Sequence, residues 1–508
     1  MSEEAKVRAG DFSILDGYDK EMDPLEVPSF YRDLNIIQIL DKIEKRWGRS
    51  VRRFYRYLPA KRETEDYRRS VFSDVKKDPV YGALMKFVAD MEEVSQIRGE
   101  KEKAVDPLQK AVWLIREIEC YCDAYELLGK ELGASGLSSE GMQTLRDVIG
   151  AYIQSAEYRG MREQTSALLE EIRSMRFVLT YDRDRISVSL GEVPGDGAYE
   201  EMVRKAFGGE KKTLSNPFII NPYITEFEKQ CLDILKKKKP EFFKKLKAVA
   251  SANADYRKKV LDRFEKEIVF YLSFRTLELE MEGLGYCFAA PGTEEDAPMR
   301  AEGLYDLALA ITATADDRDV ISNDFIYEEG DRFFVLTGPN QGGKTTFARS
   351  LGQLVYFTKI GLDVPARSAN VHYFTGLQTH FSVEESIETG RGKLKEELVR
   401  LVPMMNERMK KGFVVINELF TTAASYDAII MGKKVLGHFL GLGCMGIYVT
   451  HLKELTDKAE GIVSLRAMLD ENGIQTFKIS RGEADDVPCA ENQVNKYRLT
   501  YKQLKERL

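Results

Sequence analysis

The sequence predicts a multidomain chain: a long all-α part with one small β insertion, followed by an α/β domain with a largely parallel sheet. Three observations lead there. Apolar residues recur at helical spacing almost without a break from Ser29 to about Gly191, and again from Glu226 to Glu282. The period changes once inside that stretch, near 176–190. Beyond about residue 295, short apolar runs alternate with helical patterns.

The totals agree with a folded chain of several domains. At 508 residues there is room for roughly two to four. The composition is globular, 43% hydrophobic and 31% charged, and a net charge of -7 argues against blanket binding of polyanions. A local basic groove is compatible with that total. Six cysteines, at 120, 122, 231, 287, 444 and 489, form neither a disulfide framework nor a zinc ribbon. Cys120 and Cys122 fall in an apolar helical stretch and read as core thiols. With no signal peptide and no apolar run of 18 residues, the expectation is a soluble, cytoplasmic protein with no membrane partner.

Taken in order, residues 1–28 are polar and punctuated by proline, a lead-in expected to dock loosely or not at all. The helical part, 29–290, opens with Leu34, Ile37, Leu40 and Ile43 at helix spacing, and Ala111–Leu128 and Met142–Ile153 repeat the pattern. Arg52 to Tyr57 interleaves cations with aromatics; a partly buried helix end with snorkelling arginines is favoured there over a nucleic-acid surface. Arg176–Tyr181 and Arg185–Leu190 read as two short strands about a turn. They begin a small module, about 176–225, whose glycine- and proline-rich remainder carries Arg204-Lys205 and Lys211-Lys212. Tyr256, Val260, Phe264, Ile268 and Leu272, spaced by four, predict a long helix started by Pro240 and ended by Gly283 and Gly285. If continuous from Glu241 to Glu282 it spans about 60 Å. The Lys236–Lys239 run before it reads as a solvated helix end.

The α/β part, 295–508, offers strand candidates at Leu307–Ile311, Phe333–Leu336, Phe413–Ile416 and Ile447–Val449. The second of these leads into Gly338-Pro339-Asn340-Gln341-Gly342-Gly343-Lys344-Thr345, which fits G-x-x-x-x-G-K-[ST]. An amphipathic helix is expected over Phe347–Phe357. Strand, glycine loop and helix together are the context a phosphate-binding loop needs: backbone N–H groups turn onto phosphate oxygens at a helix N-terminus. Lys344 would reach the outer phosphates of ATP and the Thr345 hydroxyl would hold Mg²⁺.

Phe413–Ile416 ends in Asn417-Glu418. An acidic pair at such a strand end serves nucleotide hydrolysis, the first residue binding Mg²⁺ through water and the second positioning the attacking water. Here the first is an amide. Thr450-His451 follows the next strand, where a polar residue can sense the γ-phosphate or be a satisfied structural residue. All four histidines, 372, 380, 438 and 451, lie in this half without metal-ligand spacing.

Gly338 to Thr346 resembles the GPNxGGKST loop of the MutS ATPases, the mismatch-repair family. Thr389-Gly390-Arg391 resembles its signature SGRS, Asn417-Glu418 its DE, Ser425-Tyr426-Asp427 its STYD, and Thr450 to Leu455 its THxxEL. The resemblance is strong over about 320–460 and coherent over 29–290. It implies a helical core and lever with a clamp near 176–225, then an ABC-type ATPase domain with a helical tail. It further implies that two copies pair across ATP and Mg²⁺, with Glu418 as catalytic carboxylate and His451 as sensor, and that nucleotide state works a DNA clamp.

Departures from the family pattern temper that expectation. No Phe-x-Glu occurs in the chain, and a core starting near Ser29 leaves no room for the domain that wedges such a pair into mismatched duplex. The signature serine falls on Gly392 and the Walker B aspartate on Asn417. Three readings follow: an ATP-controlled dimeric clamp on structured or branched DNA without mismatch specificity, an ATPase acting on a protein or RNA partner, or a nucleotide switch with slow turnover.

Overall fold

The structure, a computed structural model, describes residues 12–16, 27–48, 51–182, 185–190, 226–315, 318–382, 393–457, 459–471, 473–483 and 505. In chain order the first half carries helices α1 (Phe30–Asp33), α2 (Ile36–Trp47), α3 (Arg52–Arg56), α4 (Arg62–Val75), α5 (Asp78–Lys103), α6 (Pro107–Ala134), α7 (Glu140–Ile153) and α8 (Ala156–Ser174). Strands β1 (Phe177–Asp182) and β2 (Arg185–Leu190) follow, then α9 (Glu226–Lys238), α10 (Pro240–Ala252) and α11 (Lys259–Glu282). The second half runs β3 (Met299–Leu304), α12 (Leu307–Ala315), β4 (Asn323–Tyr327), β5 (Phe333–Thr337), α13 (Lys344–Lys359), β6 (Ser368–Asn370), β7 (Leu377–Phe381) and α14 (Lys393–Leu401). It closes with β8 (Phe413–Asn417), α15 (Ser425–Gly441), β9 (Met445–Val449), β10 (Ile462–Leu469) and β11 (Gln475–Arg481). None of the described helices is long and apolar enough to cross a membrane.

Packing divides the chain into two compact units. One comprises Met1–Lys76, Ser139–Gly141 and Arg263–Leu508, the other Lys77–Ser138 and Met142–Asp262. The division differs from the boundary near 290–295 read from the sequence: helices α1 to α4 pack with the α/β elements. Helical periodicity reports a buried face but not what covers it, so 29–290 looked uniform.

In the second unit, Asp106 caps α6 by accepting from the N–H groups of Leu108 and Gln109, with Pro107 in the first turn where its missing N–H costs nothing. Burial works against the Glu117 carboxylate, yet hydrogen bonds from Lys101, Arg98 and Tyr256 outweigh it and hold its pKa below the ordinary range. Strands β1 and β2 pair antiparallel from Phe177↔Leu190 to Asp182↔Arg185, and Val188 packs with Cys231 and Leu235 of α9. The rest of the expected module, 191–225, lies outside the described residues.

The expected continuous helix over 241–282 is corrected. α10 does begin at Pro240, but it stops at Ala252, where Asn253 donates from both its N–H and its side chain to the Val249 carbonyl. A turn follows and α11 starts only at Lys259. Asn253 and Asp255 are residues whose side chains compete with helical hydrogen bonding, a signal the four-residue apolar spacing masked. Tyr256 therefore lies off the helix, with its hydroxyl on Glu117.

In the first unit a six-stranded sheet has the order β11-β10-β5-β9-β8-β7, parallel throughout except for β11 at its edge. Strands β5, β8 and β9 are buried at every residue, as continuous apolar runs in a parallel sheet require. β4, β3 and β6 form a separate antiparallel sheet. The strand expected at Leu307–Ile311 is corrected to helix α12. Asp306 Oδ1 accepts from the N–H groups of Ala308 and Leu309, a cap that a purely apolar count passes over.

α13 was expected to be amphipathic; instead it is buried nearly all round. Its polar side chains reach the N-terminal helices. Arg349 donates to the Asp33 carbonyl (3.0 Å), Gln353 to that of Leu34 (3.0 Å), Tyr356 to that of Tyr55 (2.7 Å) and Lys359 to the Glu65 carboxylate (2.7 Å). Arg52 pairs with Asp41 and Glu44 while Phe54 and Tyr55 are buried, in line with the helix-end reading of 52–57.

The lead-in is corrected in part. Phe12 to Leu15 are buried, Ser13 Oγ and the Ile14 N–H donate to Glu267, and Tyr271 donates to the Ile14 carbonyl. Burial, with Asp16 adding to it, pushes the Glu267 carboxyl up to about 7 against the opposing pull of Ser13, Arg263 and the Ile14 N–H. A carboxyl raised in the folded state stabilises the fold below its unfolded pKa and loses that contribution as pH rises through about 7. Glu267→Gln keeps an acceptor for Ser13 and Ile14. It is expected to remove a loss of stability on the order of 2 kcal/mol between pH 5 and 8, read from urea unfolding midpoints at several pH values.

Candidate functional site

The loop after β5, the end of β8 and the residues after β9 meet at the carboxyl edge of the parallel sheet, where open α/β sheets bind ligands. Register brings this about. Val449 stands opposite both Leu336 and Asn417, and the Thr450 N–H bonds the Leu336 carbonyl.

Within the loop, Gly338 (φ +130°) and Gly343 (φ +85°) take conformations open to glycine. A Cβ on Gly338 would also stand 2.9 Å from Ala467 Cβ and 3.1 Å from its backbone N, so the loop lies directly on β10. Lys344 is buried at the start of α13, and its ammonium donates to the carbonyls of Gly338 and Pro339 at 2.8 Å each. Thr345 Oγ1 donates to Asn417 Oδ1 at 3.0 Å, joining the two halves of the predicted site. Glu418 adopts a left-handed φ of +55°, with its N–H on the Val449 carbonyl (2.9 Å). Its Oε1 lies 3.0 Å from His451 Nε2, and both side chains are partly exposed.

A cavity of about 520 Å³ opens over this floor. Asn340, Gln341, Gly343, Lys344, Thr345, Thr346 and Glu418 line it together with a second, largely apolar group, Tyr305, Asp306, Leu309, Ile321 and Phe477, the last lying against Gly343. Sequence reasoning missed that second group. Phe477 sits on β11 with a left-handed φ of +56°, its carbonyl accepting from Asn323 Nδ2 while Asn323 Oδ1 accepts from the Ile479 N–H. The one hint available was an aromatic, with Ile474 nearby, in a short polar strand after the last recognised motif.

The other predicted residues divide. Thr389, Gly390, Arg391 and Gly392 lie outside the described residues. Ser425-Tyr426-Asp427 opens α15, and exposed Asp427 does not line the cavity. His380 is buried in β7, where burial pushes its imidazole down to about 4. His372 bonds the Ala297 carbonyl, and no group of three or more His, Cys, Asp or Glu poised to hold a metal occurs among the described residues.

Gly338→Ala should cost about 2–3 kcal/mol of stability, the sum of backbone strain at positive φ and the clash with Ala467. Chemical denaturation of the ligand-free protein measures it.

Residues 334–480 match the family MutS domain V. The DNA mismatch repair protein MutS of Thermotoga neapolitana is 24% identical over 340 residues, 65% of this chain and 41% of that protein. That of Thermotoga maritima is 24% identical over 350 residues, 65% and 42% of the two chains. In that of Thermosipho melanesiensis the identity is 29% over 174 residues, 33% and 21%. This chain thus spans well under half the length of these relatives. Since the longer matches extend beyond 334–480 and the sheet edge assembles the 338–346 loop with Asn417, Glu418 and His451, the chain is related to the MutS proteins.

Proposed function

We propose that this chain binds ATP with Mg²⁺ in the cavity under the 338–346 loop, hydrolyses it slowly, and uses the nucleotide cycle to work a dimeric DNA clamp. The observation that carries the reading is the convergence of Lys344, Thr345 and Glu418 on one cavity of about 520 Å³ that Phe477 also lines. Lys344 exchanges its two carbonyl partners for phosphate oxygens, and the loop amides and the α13 N-terminus take the rest of the charge. Phe477 and Ile321 offer an apolar wall for the base.

The floor fits a hard cation. Thr345 Oγ1 and Asn417 Oδ1 are neutral oxygen donors 3.0 Å apart that would hold the ion, with phosphate oxygens and water as its other ligands, since no cluster of three or more His, Cys, Asp or Glu occurs among the described residues. Bound there, Mg²⁺ supplies neutralisation of phosphate charge. Thr345 and Asn417 orient it, and Glu418, steadied by His451, orients the attacking water and accepts its proton.

The names of the matched relatives support DNA as the partner. No Phe-x-Glu occurs in this sequence, so DNA is held by backbone contacts, without reading of mismatches. Two copies pair around nucleotide. Asn417 specifically favours a second reading, a switch with very slow turnover, because a full negative charge near the metal is replaced by a dipole.

Two measurements test this. Asn417→Asp should lower the Mg²⁺ concentration needed for half-maximal ATP turnover, while Glu418→Ala binds ATP without turning it over. An unchanged Mg²⁺ dependence in Asn417→Asp shows the missing charge is supplied elsewhere and removes the case for slow turnover. In competition between matched duplex and a single G·T mismatch, the preference should stay below about tenfold, or 1.4 kcal/mol. Affinity for either should fall steeply with salt; a flat salt response argues for a protein partner.

A further inference from the structure

The geometry assigns Glu397, on α14, as a positioning residue that sets the direction of the Glu418 carboxylate. The assignment rests on the role proposed above for Glu418. Between β8 and α15 the chain makes a tight turn in which Glu418 (φ +55°) and Phe420 (φ +64°) are both left-handed without being glycine. Each such residue is strained and persists only where its surroundings hold it. At Glu418 the hold is the Val449 carbonyl. At Phe420 it is Glu397, a residue only 3% exposed, whose Oε2 accepts from the Phe420 N–H at 3.1 Å.

A buried N–H needs an acceptor, and this one comes from 23 residues back along the chain. The turn is clamped further because Leu419 and Phe420 bury their side chains in the cluster that includes Leu401 and Val435. Glu418, by contrast, has little packing of its own. Its side chain is 29% exposed and its recorded partner is the half-exposed His451. Its direction is therefore inherited from the backbone two residues from the Glu397 contact. Glu397 does not line the cavity, so it acts on Glu418 and not on the nucleotide.

The test compares Glu397→Ala, Glu397→Asp and Glu397→Gln in the full chain. Alanine removes the acceptor, aspartate retracts it by one methylene while keeping the acid, and glutamine keeps an acceptor oxygen at full reach. ATP turnover should fall about tenfold or more in the alanine and aspartate variants, since small misplacements of a reacting group are costly. Affinity for a fluorescent ATP analogue should stay within about threefold, and Glu397→Gln should recover turnover to within about threefold of the parent. Amide hydrogen exchange at Phe420 should accelerate in the alanine and aspartate variants but not in Glu397→Gln. If alanine destabilises the fold too far to assay, the aspartate variant carries the comparison. Turnover within about twofold of the parent in both shortened variants overturns the assignment, as does a glutamine variant as impaired as alanine. Glu418→Ala separates the two claims: if it matches the parent in turnover, or the parent has none, the ATPase reading fails by itself. Exchange at Phe420 then decides alone, and equal protection in all three variants overturns the clamp.

Discussion

The site depends on how α13 is held. A helix buried on nearly all sides cannot leave polar groups unpaired, and Arg349, Gln353, Tyr356 and Lys359 recur at intervals of three and four residues down its length. Each lands on α1–α4 or the residues beside them: on the carbonyls of Asp33, Leu34 and Tyr55, and on the Glu65 carboxylate. A one-residue slip of α13 would break all four at once. Close packing adds a steric lock, because a Cβ on Gly352 would stand 2.4 Å from Leu34 Cδ2. The start of this helix carries Lys344 and Thr345, so the geometry of the loop is set by helices about three hundred residues earlier in the chain.

Asp33 shows how tightly this is knit. Its carbonyl accepts from Arg349 of α13, and its buried carboxylate from Thr379 of β7 (2.7 Å), with Arg400 of α14 at 3.5 Å. Burial raises its pKa, and those partners, Thr379 foremost, oppose the rise. One four-residue helix thus touches the loop helix, the strand beside Asn417 and the helix that carries Glu397.

Local chemistry was legible in the sequence, and long-range pairing was not. The phosphate loop, the strands before it and before Asn417, and the residues after β9 are each encoded within about a dozen positions, as a glycine pattern or an apolar run. The structure brings Lys344, Thr345, Asn417, Glu418 and His451 to one sheet edge. What escaped depends on distant partners. The stripe on α13 reads as scattered polar residues until α1–α4 are in place. The docking of Phe12 to Leu15 needs Glu267 and Tyr271, and the apolar part of the cavity needs Phe477 brought beside Gly343. Two errors were local and avoidable in kind: Asp306 before an apolar run is a helix cap, and Asn253 with Asp255 is a helix stop.

The two halves of the site are held by different means, and that difference bears on how a nucleotide could be coupled to a partner. Lys344 and Thr345 are fixed through side chains of a rigid, fully packed helix, so the phosphate cradle has little freedom to move alone. Asn417 is fixed by the sheet register. Glu418 sits one residue past the last strand pair, in a strained turn secured by two backbone hydrogen bonds, one to β9 and one to α14. A displacement of α14 therefore reaches the turn at Glu418 directly, through the Glu397 carboxylate and the packing of Leu419 and Phe420 with Leu401, while the cradle is held chiefly by α1–α4. On the reading proposed above, binding and turnover would then be separable: charge at the cradle would govern whether nucleotide is held, and the backbone of one turn would govern the aim of Glu418.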